Sequence, residues 1–195
     1  MNLSVKANII LKPRLVLINM IILMVVMFGL PFFSVENYSI ISNTTSHLGS
    51  QFAPNASIMN ITFIIMGTAC IIESRQFLKT YWVHQVLLIV FGLGLIFSGV
   101  FRHSPIIVVQ NYDVMHDRLH SIFASLVGFS FVLLSFSASF IEVNPRNAFI
   151  NALIGLLATL FSILMAFYPQ YAGIIQRVMF IMSFTWLHLF LTRRI

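Results

Sequence analysis

The sequence predicts an all-α polytopic membrane protein, a bundle of six transmembrane helices with both termini cytoplasmic. Three observations predict it. Of 195 residues, 59% are hydrophobic and 8% charged, with a mean hydropathy of +0.96. A water-soluble domain carries roughly 25% charged residues, so this chain cannot cover its apolar surface with polar groups. Six apolar segments approach the roughly 20 residues that a helix needs to cross a bilayer core. Finally, the basic residues collect on alternate connections, which sets an orientation.

The first span, 14–32, follows Lys6, Lys12 and Arg14. Its apolar run from Leu15 to Leu30 looks like a signal peptide. Pro31-Phe32-Phe33 follows it instead of a small-residue cleavage site, so it is read as an uncleaved span. The remaining spans are 56–73, 81–101, 116–141, 148–167 and 173–192. Their connections are short, so residues 1–195 are read as a single transmembrane domain. Cys70 stands alone in an apolar run, which leaves no disulfide framework and no cysteine metal site.

Lys6, Lys12, Arg14, Arg75, Lys79, Arg146, Arg193 and Arg194 fall on one face, and only Arg102, Arg118 and Arg177 on the other. The richer face is read as cytoplasmic. The net charge of +6 thus reports topology and implies no nucleic-acid partner. The loops 33–55, 102–115 and 168–172 then face outward. Glu36, His47, Arg102, His103, Asp113, His116, Asp117, His120 and Arg177 gather on that side, where a site is expected.

The fourth span opens with "VMHDRLHSIF" (114–123). On a helix, Asp113, His116, Asp117 and His120 share one face, continued by the small residues Ala124 and Gly128. Ionisable groups at such depth are costly and are usually paired or functional. His116 and His120, four residues apart, suit a divalent metal such as zinc, with Asp113 or Asp117 as third ligand. The same spacing suits a His–Asp acid/base pair, or simply acidic residues at a helix N-terminus.

The first loop, "YSIISNTTSHLGSQFAPN" (38–55), is uncharged apart from His47 and rich in hydroxyls. It is expected to lie against the bundle as a lid. Ser46 with His120 as base is one use of it, and a hydroxyl satisfying loop backbone is the other. In the last span, Gln176 and Arg177 lie about a turn inside the outer end. Arg177 either snorkels to headgroups or turns inward toward Glu36, Asp113 or Asp117, where its fork would also hold a phosphate or carboxylate. His84 and His188, with His47 and His120, imitate the two-layer histidine pattern of a di-haem b-type cytochrome. Interfacial polar residues at helix ends are the alternative. No span is broken by a mid-membrane proline of the kind that marks many transporter sites.

Four stretches carry a family resemblance. "YSIISNTTSHLG" followed by Pro54 and Asn60, "SGVF" (98–101), "HDRLHSIFAS" and "GIIQRVMFIMSFTW" occur in order at matching topology. The chain resembles the six-span bacterial and archaeal membrane proteins grouped as domain of unknown function 998. Its first loop is distantly similar to that of Frag1/DRAM-type membrane proteins, some of which remodel lipids. The resemblance marks Ser46, Gly49, His120 and Arg177. Arg102-His103-Ser104-Pro105 departs from the family pattern, which makes His103 and His116 features of this chain.

The expectation is a multi-pass protein of a prokaryotic cell membrane with an outward-facing polar pocket. That pocket would bind or hydrolyse a membrane lipid with an anionic headgroup, with a divalent metal such as zinc as the expected assistant. His120, Asp117 and Ser46 are the catalytic candidates, and Arg177, His47 and Glu36 the substrate-binding candidates. His116, His120 and Asp113 are the metal-binding candidates. The alternatives are a non-enzymatic scaffold or regulator whose polar cluster is structural, and a haem or quinone redox protein.

Overall fold

The structure, a computed structural model, describes residues 14–107 and 111–193. Lys6, Lys12 and Arg194, which enter the orientation argument, lie outside the described residues. Six long helices carry the chain: α1 (Leu15–Gly29), α3 (Ala56–Phe77), α4 (Trp82–Val100), α5 (Val114–Phe140), α6 (Pro145–Phe167) and α7 (Ala172–Thr192). A single helical turn, α2 (Thr45–Leu48), interrupts the first loop. All six long helices, α1 and α7 with the 3-10 turns beside them, are long and apolar enough to cross a membrane.

The helix ends follow local chemistry. Pro31 has no amide for the carbonyl of Met27, and α1 passes into a 3-10 turn, Leu30–Phe33. The Asp113 side chain accepts from His116 N and starts α5. Asn144 accepts from Arg146 N and Pro145 takes the first position of α6, three residues before the span predicted there. The start of α1 is capped from a neighbouring helix, where Leu15 N donates to Glu73 Oε1 of α3 at 2.6 Å.

Helices pack as neighbours in the order α1, α3, α4, α5, α6, α7, and α7 returns to α1. The six helices therefore close a ring. The α3–α4 contact is the tightest: a Cβ on Gly67 or Gly92 would run into the other's backbone carbonyl. Residues such as Ile18, Val25, Val86, Phe129, Leu133, Leu156 and Phe167 turn outward and are exposed, as lipid-facing side chains must be.

The interior differs between the two ends. At the end that carries residues 14 and 193, aromatic rings fill the ring of helices: Phe91 against Phe131 and Phe184 at 5.9 Å, Phe131 against Trp186 at 5.4 Å, and Trp186 stacked on Phe190 at 5.1 Å. Asn151 ties three helices there. It accepts from Trp186 Nε1 at 2.9 Å, donates to Ala138 O at 3.1 Å, and its own carbonyl accepts from Ser135 Oγ at 2.6 Å. Toward the opposite, loop-bearing end lies a partly open cavity of about 500 Å³.

Candidate functional site at the loop-bearing end

The first loop is built as a roof. Thr44 caps α2 in a reciprocal box with His47. Thr45 donates through both N and Oγ1 to Gln176 Oε1 of α7, each at 2.7 Å. Asn60 of α3 donates to Gly49 O at 3.0 Å and stands where a Cβ on Gly49 would be. Gln51 joins this roof to the 101–113 loop. Its side-chain amide accepts from Asp113 N and donates to Asp113 O, both at 2.8 Å, and Gln51 N donates to His103 O at 3.0 Å.

Arg177 is the keystone. It turns inward and has 0% of its surface exposed. Nη1 donates to Ile40 O at 2.9 Å and to Asn43 O and Gly173 O at 3.0 Å. Nε donates to Met27 O at 3.3 Å, the carbonyl orphaned by Pro31, and Nη2 donates to Tyr38 Oη at 2.6 Å. Burial pushes the Tyr38 phenol up, against the lowering effect of Arg177, so it stays protonated and donates onward to Asn43 O and Thr44 O. No acid meets this guanidinium. Glu36 is exposed, Asp113 caps α5 and Asp117 is engaged elsewhere. The donors expected for an anionic headgroup instead hold backbone carbonyls: Met27 O at the C-terminal end of α1, Ile40 O and Asn43 O of the first loop, and Gly173 O of α7.

Three imidazoles run in a row down from the roof, with their planes tilted to one another. His47 lies 4.7 Å from His103, and His103 lies 5.1 Å from His120, between ring centroids. Thr44 N donates to His47 Nδ1 at 3.1 Å, so that nitrogen carries the lone pair and the proton sits on Nε2. Burial, with His103 and His120 close by, lowers the His47 pKa to about 4 and holds it neutral. His103 Nδ1 lies 3.3 Å from Asp117 Oδ1, which also accepts from Ser104 N at 2.7 Å. His120 is 3% exposed and its Nδ1 faces two carbonyls, Ser98 O and Phe101 O, each at 2.9 Å.

The stripe predicted along α5 is thus divided among different tasks. Asp113 is an N-cap. His116 leans on the Phe101 ring and accepts from Arg102 N at 3.4 Å. Asp117 pairs with His103, and His120 is buried. The metal trio of His116, His120 and Asp113 is not assembled, and no three His, Cys, Asp or Glu side chains among the described residues are grouped to hold a metal ion. A haem between His47 and His120 has no room, because His103 fills that space. Ser46 lines the cavity and is not hydrogen-bonded to His120. His103, at the centre of the cluster, was not among the predicted site residues. The sequence marked it as one of the ionisable residues gathered on the outer side, without a role of its own.

Below the cluster lies the cavity. Its walls come from α3 (Phe63), α4 (Leu95, Ser98), α5 (Ala124 to Val132), α6 (Thr159, Ser162, Met165) and α7 (Gln176, Met179, Phe180), with Ser46 at the roof. Ala124, Ser125, Phe129 and Ser162 on its wall are exposed, so it opens sideways between α5 and α6. One family model matches residues 18–193, which take in the docked first loop, the buried Arg177 and all of the six-helix ring except the first three residues of α1. The chain belongs to the DUF998 family. The family's description is "protein of unknown function", so membership gives the DUF998 chain its relatives without an activity. No curated protein and no solved structure matches it.

Proposed function

We propose that this DUF998 protein binds a membrane lipid, with an acyl or isoprenoid chain in the cavity and the headgroup at the roof. The cavity carries the proposal. At about 500 Å³ it is of ligand-site size, for which roughly 300–1,000 Å³ is usual. Its lining is mostly apolar: Ser46, Ser98 and Gln176 stand near the roof, and the other hydroxyls on the wall, Ser125, Thr159 and Ser162, donate to carbonyls of their own helices. Its opening is lateral, through helices that cross a membrane, and the chains of bilayer lipids are what such an opening meets. The excess of Lys and Arg on the other end supports placing this site at the outer leaflet of the cell membrane.

Gly128→Phe tests the proposal. A Cβ built at Gly128, on the cavity wall, meets nothing within 4 Å, so a larger side chain can start there and extend into the open space. The variant is expected to fold, melt at or above the wild-type temperature, and lose the lipid that native mass spectrometry detects on the purified protein. Retention of the same lipid at the same stoichiometry refutes the proposal.

A further inference from the structure

Two polar groups on the cavity wall carry donors that the fold does not use. Gln176 Oε1 accepts from Thr45 N and Oγ1, each at 2.7 Å. A backbone N–H can only donate, so the roof fixes which end of the amide is oxygen. Nε2, the other end, makes no hydrogen bond among the described residues, and Gln176 lines the cavity. Ser46 follows Thr45 in the chain and lines the same cavity, and among the described residues its hydroxyl makes no hydrogen bond either. Unlike Ser98 Oγ, which is unpartnered but sealed off, both atoms keep accessible surface. The amide offers two donor hydrogens and the hydroxyl one.

The remaining hydroxyls of the wall do not compete. Ser125, Thr159 and Ser162 donate to carbonyls of their own helices. The free donors are therefore confined to the roof, above apolar walls that include Phe63, Leu95 and Val132. A lipid whose chain fills such a cavity brings to the roof the group that joins chain to headgroup. In an acyl lipid that group is an ester, and its carbonyl oxygen accepts without donating. An ether link is a weaker acceptor, and a plain isoprenoid chain has none. A phosphate oxygen also accepts, but it would bring charge to a wall that holds no Lys or Arg, whereas a carbonyl needs only neutral donors.

We infer that the bound lipid is an acyl ester whose carbonyl oxygen accepts from Gln176 Nε2 and Ser46 Oγ. The inference rests on the lipid-binding reading above and narrows it to ester-linked chains.

Dipalmitoyl phosphatidylcholine and its dihexadecyl ether analogue test it. They share headgroup and chain length and differ only in the carbonyls. Mixed in equal amounts with the full chain in detergent micelles, they are told apart by mass in native mass spectrometry, and the binding counted is the part that Gly128→Phe removes. The ester is expected to bind about fivefold over the ether, the worth of one ordinary hydrogen bond. Ser46→Ala removes a hydroxyl that bonds nothing in the fold. Gln176→Glu keeps an oxygen for Thr45 and replaces the Nε2 donor with a second oxygen, ionised at about pH 8. Each variant should bring the ester-to-ether ratio down toward parity. Equal binding of the two lipids by the wild-type chain, or an undiminished ratio in either variant, overturns the inference. If the two lipids bind equally and Ser46→Ala weakens both, the donors hold a phosphate oxygen, so the ester inference falls and lipid binding stands. If Gly128→Phe removes no bound lipid, both fall.

Discussion

Replacing Arg177 with Met separates a structural keystone from an anion-binding arginine. The substitution keeps an unbranched side chain as far as the position of Nε and removes every donor. Two acceptors are then stranded: Met27 O, because residue 31 is proline, and Ile40 O on the docked loop. Asn43 O keeps the Tyr38 hydroxyl at 3.2 Å, and Gly173 O keeps its place in the α7 ladder. A buried acceptor left unpaired costs about 1–3 kcal/mol, which gives roughly 2–6 kcal/mol for the two. Relief from burying a cation that faces no carboxylate offsets part of this. The net expectation is a loss of about 3 kcal/mol, or about 6–12 °C in melting temperature for a chain of this size. Thermal unfolding in micelles gives the first number, and limited proteolysis of segment 34–55 reports whether the roof has come loose. Arg177→Lys, with three donors of different geometry, should fall between. An Arg177→Met protein that melts at or above the wild-type temperature with its loop equally protected refutes the reasoning.

The remaining predictions concern neighbouring features. Gly173→Ala should cost about 2–3 kcal/mol and open the loop to protease, because its Cβ would meet the carbonyls of Ile40 and Asn43 that Arg177 holds. His47 is neutral in the folded chain with a pKa near 4 against 6.5 for the free side chain. The unfolded chain therefore takes up the proton first, and stability holds above about pH 6.5 and falls toward pH 4. His47 contributes up to about 3 kcal/mol to that fall. Melting curves from pH 7.5 to 4.5 should show it, and a His47→Gln variant should lose this part of the slope. Asn151→Leu strands Trp186 Nε1 and Ala138 O and should cost about 2–4 kcal/mol, with Trp186 fluorescence becoming more accessible to quencher.

The six spans were legible because the length of an apolar run is a direct physical requirement for crossing a bilayer. Helix ends were less so. Asp113 and Asn144 extended α5 and α6 beyond the predicted starts by capping, a choice that hydropathy does not register. The site was legible as a neighbourhood rather than as a mechanism. Helical spacing placed Asp113, His116, Asp117 and His120 on one face, but each answers to a different loop partner. Gln51 meets Asp113 across 62 residues, and Gln176 meets Thr45 across 131. No local period encodes such pairings. The inward turn of Arg177 was one of two predicted outcomes, but its acceptors are carbonyls, and backbone carbonyls leave no mark in a sequence.

The bonds that hold the roof also constrain how the cavity is reached. Gln176 lines the cavity and fixes Thr45 above it, and the next residue, Arg177, fixes the loop from Ile40 to Asn43. Asn60 and Gln51 fasten the roof's other side. Opening this end would break several buried hydrogen bonds together. The α5–α6 pair is different. Its side-chain ties, Ser135 to Asn151 and Asn151 to Ala138, lie toward the opposite end, and the stretches beside the cavity carry small residues at Ala124 and Gly128. On the lipid-binding reading, a chain therefore enters sideways from the bilayer between α5 and α6, under a roof that stays shut. The polar turn Gln176–Arg177 then serves the site by keeping it closed to water, without contributing charge to the ligand.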